Sequence, residues 1–225
     1  MMKKMSKNRC SIALLAISLF ALAFYPCAPQ TFDLKDPKGV NAISFMIDSR
    51  LEQQVGSASD ISGTVSIDMA DPRKSSGTIT IPVSGMKMTN AMMTDHLHGE
   101  KWLDMAKYPV ITFKIKKISN LSVSAMKLVD PSAPEPPEDP DYRADVTGDF
   151  TCHGISKEIV IPVKMTYLKD MLGKRIPNMK GDLIVLRSSF NIYRDDFKIS
   201  GGAANDVLSN KIEVRMAVTG ISPTK

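Results

Sequence analysis

Cysteine, histidine and tryptophan are scarce here: three, three and one in 225 residues, with aromatic side chains at 6%. Two of the cysteines, Cys10 and Cys27, sit near the N-terminus, so no disulfide framework can be read from the chain. In an oxidising compartment a pair requires Cys27 to be retained and unmodified. Otherwise Cys152 is a lone thiol in phase with Phe150, and it reads as buried and inert. The imidazoles are His96, His98 and His153, and Cys152 and His153 are strand neighbours pointing to opposite faces, which disfavours a zinc site. There is no Gly-x-Ser-x-Gly elbow, no His-Glu-x-x-His helix and no phosphate-cradling glycine loop. Nothing in the motifs points to an enzyme, and no cofactor is called for. Long apolar runs are missing too. The one from Ser11 to Phe24 is shorter than the roughly 20 residues that span a bilayer.

That run follows Lys3, Lys4, Lys7 and Arg9, the arrangement of a secretory signal. Ala21-Leu22-Ala23 supplies a small-x-small cleavage pattern, giving a signal peptide over 1–23. Alternatively Cys27 becomes the first residue of a lipoprotein after a signal over 1–26, although Phe24-Tyr25-Pro26 lacks the small residues usual before such a cysteine. The expected location is the periplasm, with an outer-membrane lipoprotein or an extracellular protein as alternatives. The first 28 residues hold four basic and no acidic side chains, so without them the formal charge falls from +5 to +1. The basic character is therefore mostly a targeting feature. Acidic residues are interspersed through the remainder, which excludes a nucleic-acid footprint. Lys114, Lys116 and Lys117 read as a solvated edge, with transient membrane contact as the alternative.

Period-two alternation dominates the exported portion: Ile43, Phe45 and Ile47; Ile61, Val65 and Ile67; Ile79, Ile81 and Val83; Ile159, Ile161, Val163 and Met165; Ile212, Val214, Met216 and Val218. Strands with one wet and one dry face belong to an antiparallel sheet. With turn signals at Asp71-Pro72, Ser75-Ser76-Gly77 and Gly173, the pattern predicts an all-β barrel or sandwich. The segment Asp130 to Asp141 is acidic and Pro-rich, and predicts a solvated loop at 130–141.

Two blocks are idiosyncratic. In the first, Leu97, Trp102 and Met105 share a helical spacing, predicting a short crossing helix near residues 90–106 that Tyr108-Pro109 stops before a strand through Ile111 and Phe113. In the second, Val146 to Ile161 predicts two strands joined at His153-Gly154, the second starting near Lys157. The motifs His96-Leu97, Trp102-Leu103-Asp104, Tyr108-Pro109, Gly148-Asp149-Phe150-Thr151, His153-Gly154 with Lys157, and Ile192-Tyr193-Arg194 with Asp196-Phe197 together resemble the YceI-like family of exported bacterial proteins. Three departures stand out: the arginine usual shortly before the His-Leu pair is absent, Lys198 replaces a usual glycine, and the 130–141 insert is added.

The resemblance implies a single antiparallel, lipocalin-like β-barrel over 30–223 whose apolar interior holds a polyisoprenoid chain, quinone-like or polyprenyl. On that reading the ligand-binding candidates are the inward Phe45, Phe113, Phe150, Phe190, Ile192 and Phe197, with Trp102 from the crossing helix. His96 and Arg194 are candidates for a head group at the mouth. Arg194 has the rival role of partner to Asp195, Asp196 or a backbone carbonyl, and every apolar candidate has the rival role of core filler, because eight-stranded barrels occur both filled and hollow. Oligomeric state is open between monomer and homodimer. An alternative function comes from the cluster 86–98, where Met86, Met88, Met92, Met93, His96 and His98 offer the soft ligands that suit copper. Asp149 reads as a residue capping backbone donors at a turn or strand end.

Overall fold

A computed structural model describes residues 28–125, 140–199 and 207–224. The export segment with both cleavage alternatives, Cys10, Cys27 and positions 130–139 of the acidic insert lie outside the described residues. The strands are β1 (Gln30–Asp33), β2 (Ala42–Ser49), β3 (Gln53–Ala58), β4 (Ser62–Ile67), β5 (Ser76–Pro82), β6 (Met86–Met88), β7 (Val110–Ala125), β8 (Pro140–Cys152), β9 (Ile155–Leu168), β10 (Gly181–Tyr193) and β11 (Leu208–Pro223). Helices α1 (Ala91–His98) and α2 (Leu172–Arg175) and a 3-10 turn at Arg194–Phe197 complete the parts used below.

The fold is all-β, an antiparallel barrel closed from eight strands. The ring runs β1-β4-β5-β7-β8-β9-β10-β11 and returns through the pairing of β1 with β11 at Asp33 and Ile221, while β2, β3 and β6 continue the sheet from β11. Closure removes both edges of the eight-strand ring, and α1 follows directly on β6, where the sheet's continuation ends. The alternating residues named above point inward: Phe45, Ile79, Phe113, Ile161, Val214 and Met216 are all buried. A second, smaller apolar layer of Leu172, Leu183 and Ile221 packs α2 against one end of the barrel. Among the described residues, no helix is long and apolar enough to cross a membrane.

Five expectations are corrected. The crossing element is helical only to His98, because Gly99 takes an extended conformation at the cap, and the chain then proceeds through turns to Lys107. Strand β9 starts at Ile155 instead of Lys157, since His153 (φ 49°) and Gly154 (φ 72°) form a tight turn of the two-residue hairpin kind. Asp141 is not loop: it lies in β8, 3% exposed, accepting from Thr166 Oγ1 at 2.6 Å and from Lys164 at 2.7 Å. Ser76 and Gly77, taken as turn residues, begin β5. Asp149 is also mid-strand, paired with Lys116, which bridges it to Glu158 across three strands.

Partly buried carboxylates tie distant elements together. Asp182 accepts from Gln30, Tyr167 and the Asp170 amide, and Asp36 from Arg175 and the Val40 amide. Burial alone would raise the pKa of Asp36, Asp141 and Asp182. The hydrogen bonds and cations around them more than offset this, so all three lie below the ordinary carboxylate value. A carboxyl whose folded pKa is depressed contributes stability above its unfolded pKa and loses it as pH falls through the folded one. The melting temperature is therefore expected to hold from neutrality to about pH 4 and to fall below it. Asp141→Asn should flatten that acid limb, and a profile unchanged down to about pH 2 would contradict the assignment.

Candidate functional site: an apolar tunnel in the barrel

Inward alternation on a closed ring puts large apolar side chains around a common axis, and here they do not meet in the middle. An outer chamber of about 100 Å³ lies beneath α1, against about 10–15 Å³ for one water on the same measure. Its walls are hydrocarbon, aromatic rings and sulfur, with Phe45, Trp102, Phe113, Phe150, Phe190 and Ile192 among them. An inner chamber of about 70 Å³ follows, lined by residues such as Val65, Tyr142, Met165 and Leu186. The two share Ile79, Phe113, Ile161 and Met216, one each from β5, β7, β9 and β11, which form a waist between them. With no polar partner in the walls such a space stays dry, and an extended apolar guest fits it best.

Phe113 reaches the waist because its ring crosses Gly148 on the neighbouring strand. A Cβ there would stand 2.5 Å from the ring. Above the outer chamber a vestibule is lined by Gln54, Met88, Met93, His96 and Leu208, and it shares Phe45, Ile47, Leu97 and Trp102 with that chamber. His96 is exposed there. Of the metal candidates, Met88, Met93 and His96 thus share one hollow, while Met86 turns into the outer chamber, Met92 is 65% exposed and His98 Nε2 lies 2.9 Å from the Met86 carbonyl. Among the described residues no three His, Cys, Asp or Glu side chains are grouped to hold a metal. Cys152 lines the outer chamber, and burial pushes its thiol up to about 12.

Two predicted contacts fall elsewhere. Phe197 lines neither chamber; it is fully buried behind Phe150, with ring centroids 5.3 Å apart at 72°. Arg194 is 0% exposed and is no mouth residue: Nε donates to the Ser209 carbonyl at 2.8 Å and Nη2 to that of Leu208 at 2.6 Å. Burial lowers its pKa, with the Asp195 charge acting the other way. Sequence reasoning named the carbonyl role as a rival but could not decide it, and it missed the waist and the vestibule residue Gln54.

A YceI-like domain profile matches residues 37–220. The chain belongs to the YceI-like family. It is 27% identical over 156 residues to Protein YceI of Escherichia coli O157:H7, covering 68% of this chain and 72% of that one. It is 29% identical over 106 residues to a UPF0312 protein of Pseudomonas savastanoi, 47% of this chain and 46% of the relative, so that match spans about half the relative's length. In fold it is similar to a polyisoprenoid binding domain from Saccharophagus degradans, with a TM-score of 0.58 at 14% identity, over 87% of this chain and 99% of that domain.

Several of the YceI-like motifs converge on one structural lock. Strands β9 and β10 pair only from Leu183–Leu168 to Ser188–Val163; the next β9 residue is Pro162, which has no N–H to offer, and Ser188 Oγ donates to its carbonyl at 2.7 Å. The Arg194–Phe197 turn bridges the gap. Arg194 ties it to the start of β11, Lys157 pairs with Asp196, Phe197 packs edge-to-face against Phe150, and His153 Nδ1 lies 3.0 Å from the Phe197 carbonyl. The His153 ring in turn meets Tyr108 edge-on at 4.8 Å, and the Tyr108 ring occupies the space that a side chain on Gly154 would need.

Lys198 caps this turn in the left-handed region, φ 56° and ψ 33°, where glycine carries no steric cost. That accounts for the glycine usual in the YceI-like pattern. Lys198→Gly is expected to stabilise the protein by about 1 kcal/mol, read as a higher urea midpoint at unchanged slope. An unchanged or lower midpoint would contradict this.

Proposed function

We propose that this YceI-like protein is an exported carrier of a polyisoprenoid lipid, quinone-like or polyprenyl, which it holds without chemical change. The observation that carries the reading is the pair of dry chambers in line. Each methylene buried there contributes about 0.8 kcal/mol, so a few isoprene units suffice for useful affinity. Simple addition over about eight units exceeds the ceiling of about 18–21 kcal/mol for non-covalent complexes, so ordering costs offset part of it and tail length is chosen by the tunnel. The polar end of the lipid would stay in the vestibule, beside Gln54 and His96. The name of the Saccharophagus neighbour supports the ligand class.

Native mass spectrometry with organic extraction, on protein purified from its own host, tests this directly: a prenyl chain is the expected adduct, and a barrel that neither retains nor takes up prenyl lipid overturns the reading. Val214 lines the outer chamber. Val214→Phe fills that space, and should raise the stability of the empty protein by about 0.5–2 kcal/mol while abolishing lipid uptake. Lipid uptake equal to wild type would show that the chamber is not the site.

A second reading rests on Met88, Met93 and His96 around one vestibule. Thioethers and an imidazole suit Cu(I). Copper retained through chelator washes, and lost in Met88→Leu/Met93→Leu with lipid binding intact, would favour copper handling over lipid carriage.

A further inference from the structure

We propose that the outer face of the barrel carries a groove for phosphate groups, presented by anionic phospholipid headgroups at a membrane surface. The proposal does not rest on the cargo reading. Arg143 on β8 stands directly opposite Lys164 on β9, and Lys164 directly opposite Arg187 on β10. Arg215 on β11, opposite Ser189, lines the same groove. Like charges facing one another across strands are mutually destabilising. Elsewhere on this surface the pattern is the reverse: Lys116 has Asp149 and Glu158, Lys157 has Asp196, and Lys211 has Glu213.

In the groove Lys164 alone is ion-paired, with Asp141, a carboxylate that the charge of Arg143 also stabilises. Arg143, Arg187 and Arg215 are exposed, and none makes an ion pair or side-chain hydrogen bond among the described residues. Asp145 is the sole carboxylate in the lining, and it accepts from Asn120 at 2.6 Å. Between the cationic side chains the outward Ser189 is small and β9 parts from β10 at Pro162, which leaves the groove open. Guanidinium groups match phosphate oxygens in a two-pronged geometry that lysine cannot reproduce. Three strand spacings separate β8 from β11, so the cations extend over about 14 Å. That span exceeds one phosphate ion and fits a row of headgroups.

Flotation of the full chain with vesicles tests the proposal. Wild type should partition onto phosphatidylcholine vesicles containing phosphatidylglycerol, not onto phosphatidylcholine alone, and salt should weaken the binding. Arg143→Gln/Arg187→Gln/Arg215→Gln should weaken partition about a hundredfold, whereas Lys35→Gln/Lys38→Gln/Lys174→Gln, with the same charge change on exposed side chains outside the groove, should shift it far less. Equal losses in the two triple variants would reduce the effect to net charge and overturn the groove. Failure of wild type to prefer anionic vesicles, or saturable binding of inorganic phosphate without vesicle partition, would overturn the lipid source. Should the groove triple variant unfold, the single substitutions carry the test at about fivefold each.

Discussion

Arg194→Ala is expected to lower the unfolding free energy by about 3 kcal/mol or more, measured by urea denaturation. The guanidinium sits fully inside the protein and satisfies carbonyls of Leu208 and Ser209, with a longer contact to that of Ile199 at 3.4 Å. Truncation leaves those acceptors buried without donors, and each such group costs about 1–3 kcal/mol. Lysine should rescue little, because a single ammonium cannot serve carbonyls arranged around a planar fork. The two roles considered for this arginine separate cleanly in this experiment. A head-group contact would cost lipid affinity and leave the urea midpoint in place; a structural clamp does the reverse, and an unmoved midpoint would end that assignment.

Phe113→Ala is the second large effect, and it acts on the waist. Removing the ring from a buried position costs about 3–5 kcal/mol in the empty protein. It also joins the chambers that Ile79, Phe113, Ile161 and Met216 divide. On the carrier reading, the waist limits how much of a tail passes into the inner chamber, and the variant accepts longer prenyl chains than wild type does. Saturating lipid should return part of the lost stability, about 2.7 kcal/mol at a hundred times the dissociation constant. The measurement is a competition series of prenyl lipids of increasing length, read by native mass spectrometry and by thermal midpoint. An identical length profile in both proteins would show that the waist does not select length.

The strands were legible because period-two alternation follows from backbone geometry alone: Ile43, Phe45 and Ile47 must share a face in any strand, and a closed sheet turns that face inward. The crossing helix was half legible. Leu97, Trp102 and Met105 keep a helical spacing, yet spacing says nothing of a cap, and the extended backbone at Gly99 ends the helix at His98. Phe45, Phe113 and Phe150 were readable as inward, but whether inward residues fill or line the axis depends on register among strands far apart in sequence. The waist is a case in point, since its members come from four strands that no local pattern aligns. Arg194 lay beyond reach for another reason: its partners are main-chain carbonyls, and these leave no trace in side-chain identity. One signal was present and unused. Pro162 within an apolar run marks the point at which a strand stops bonding to a neighbour.

That interruption gives the cylinder a seam. Between most adjoining strands the wall is stitched by runs of main-chain bonds; from Pro162 to Ile155 the closure depends on one guanidinium, one ammonium, one imidazole and two phenyl rings set edge to face. Deuterium should enter first along this line, and the mechanical strength of the whole hoop is that of its fastening.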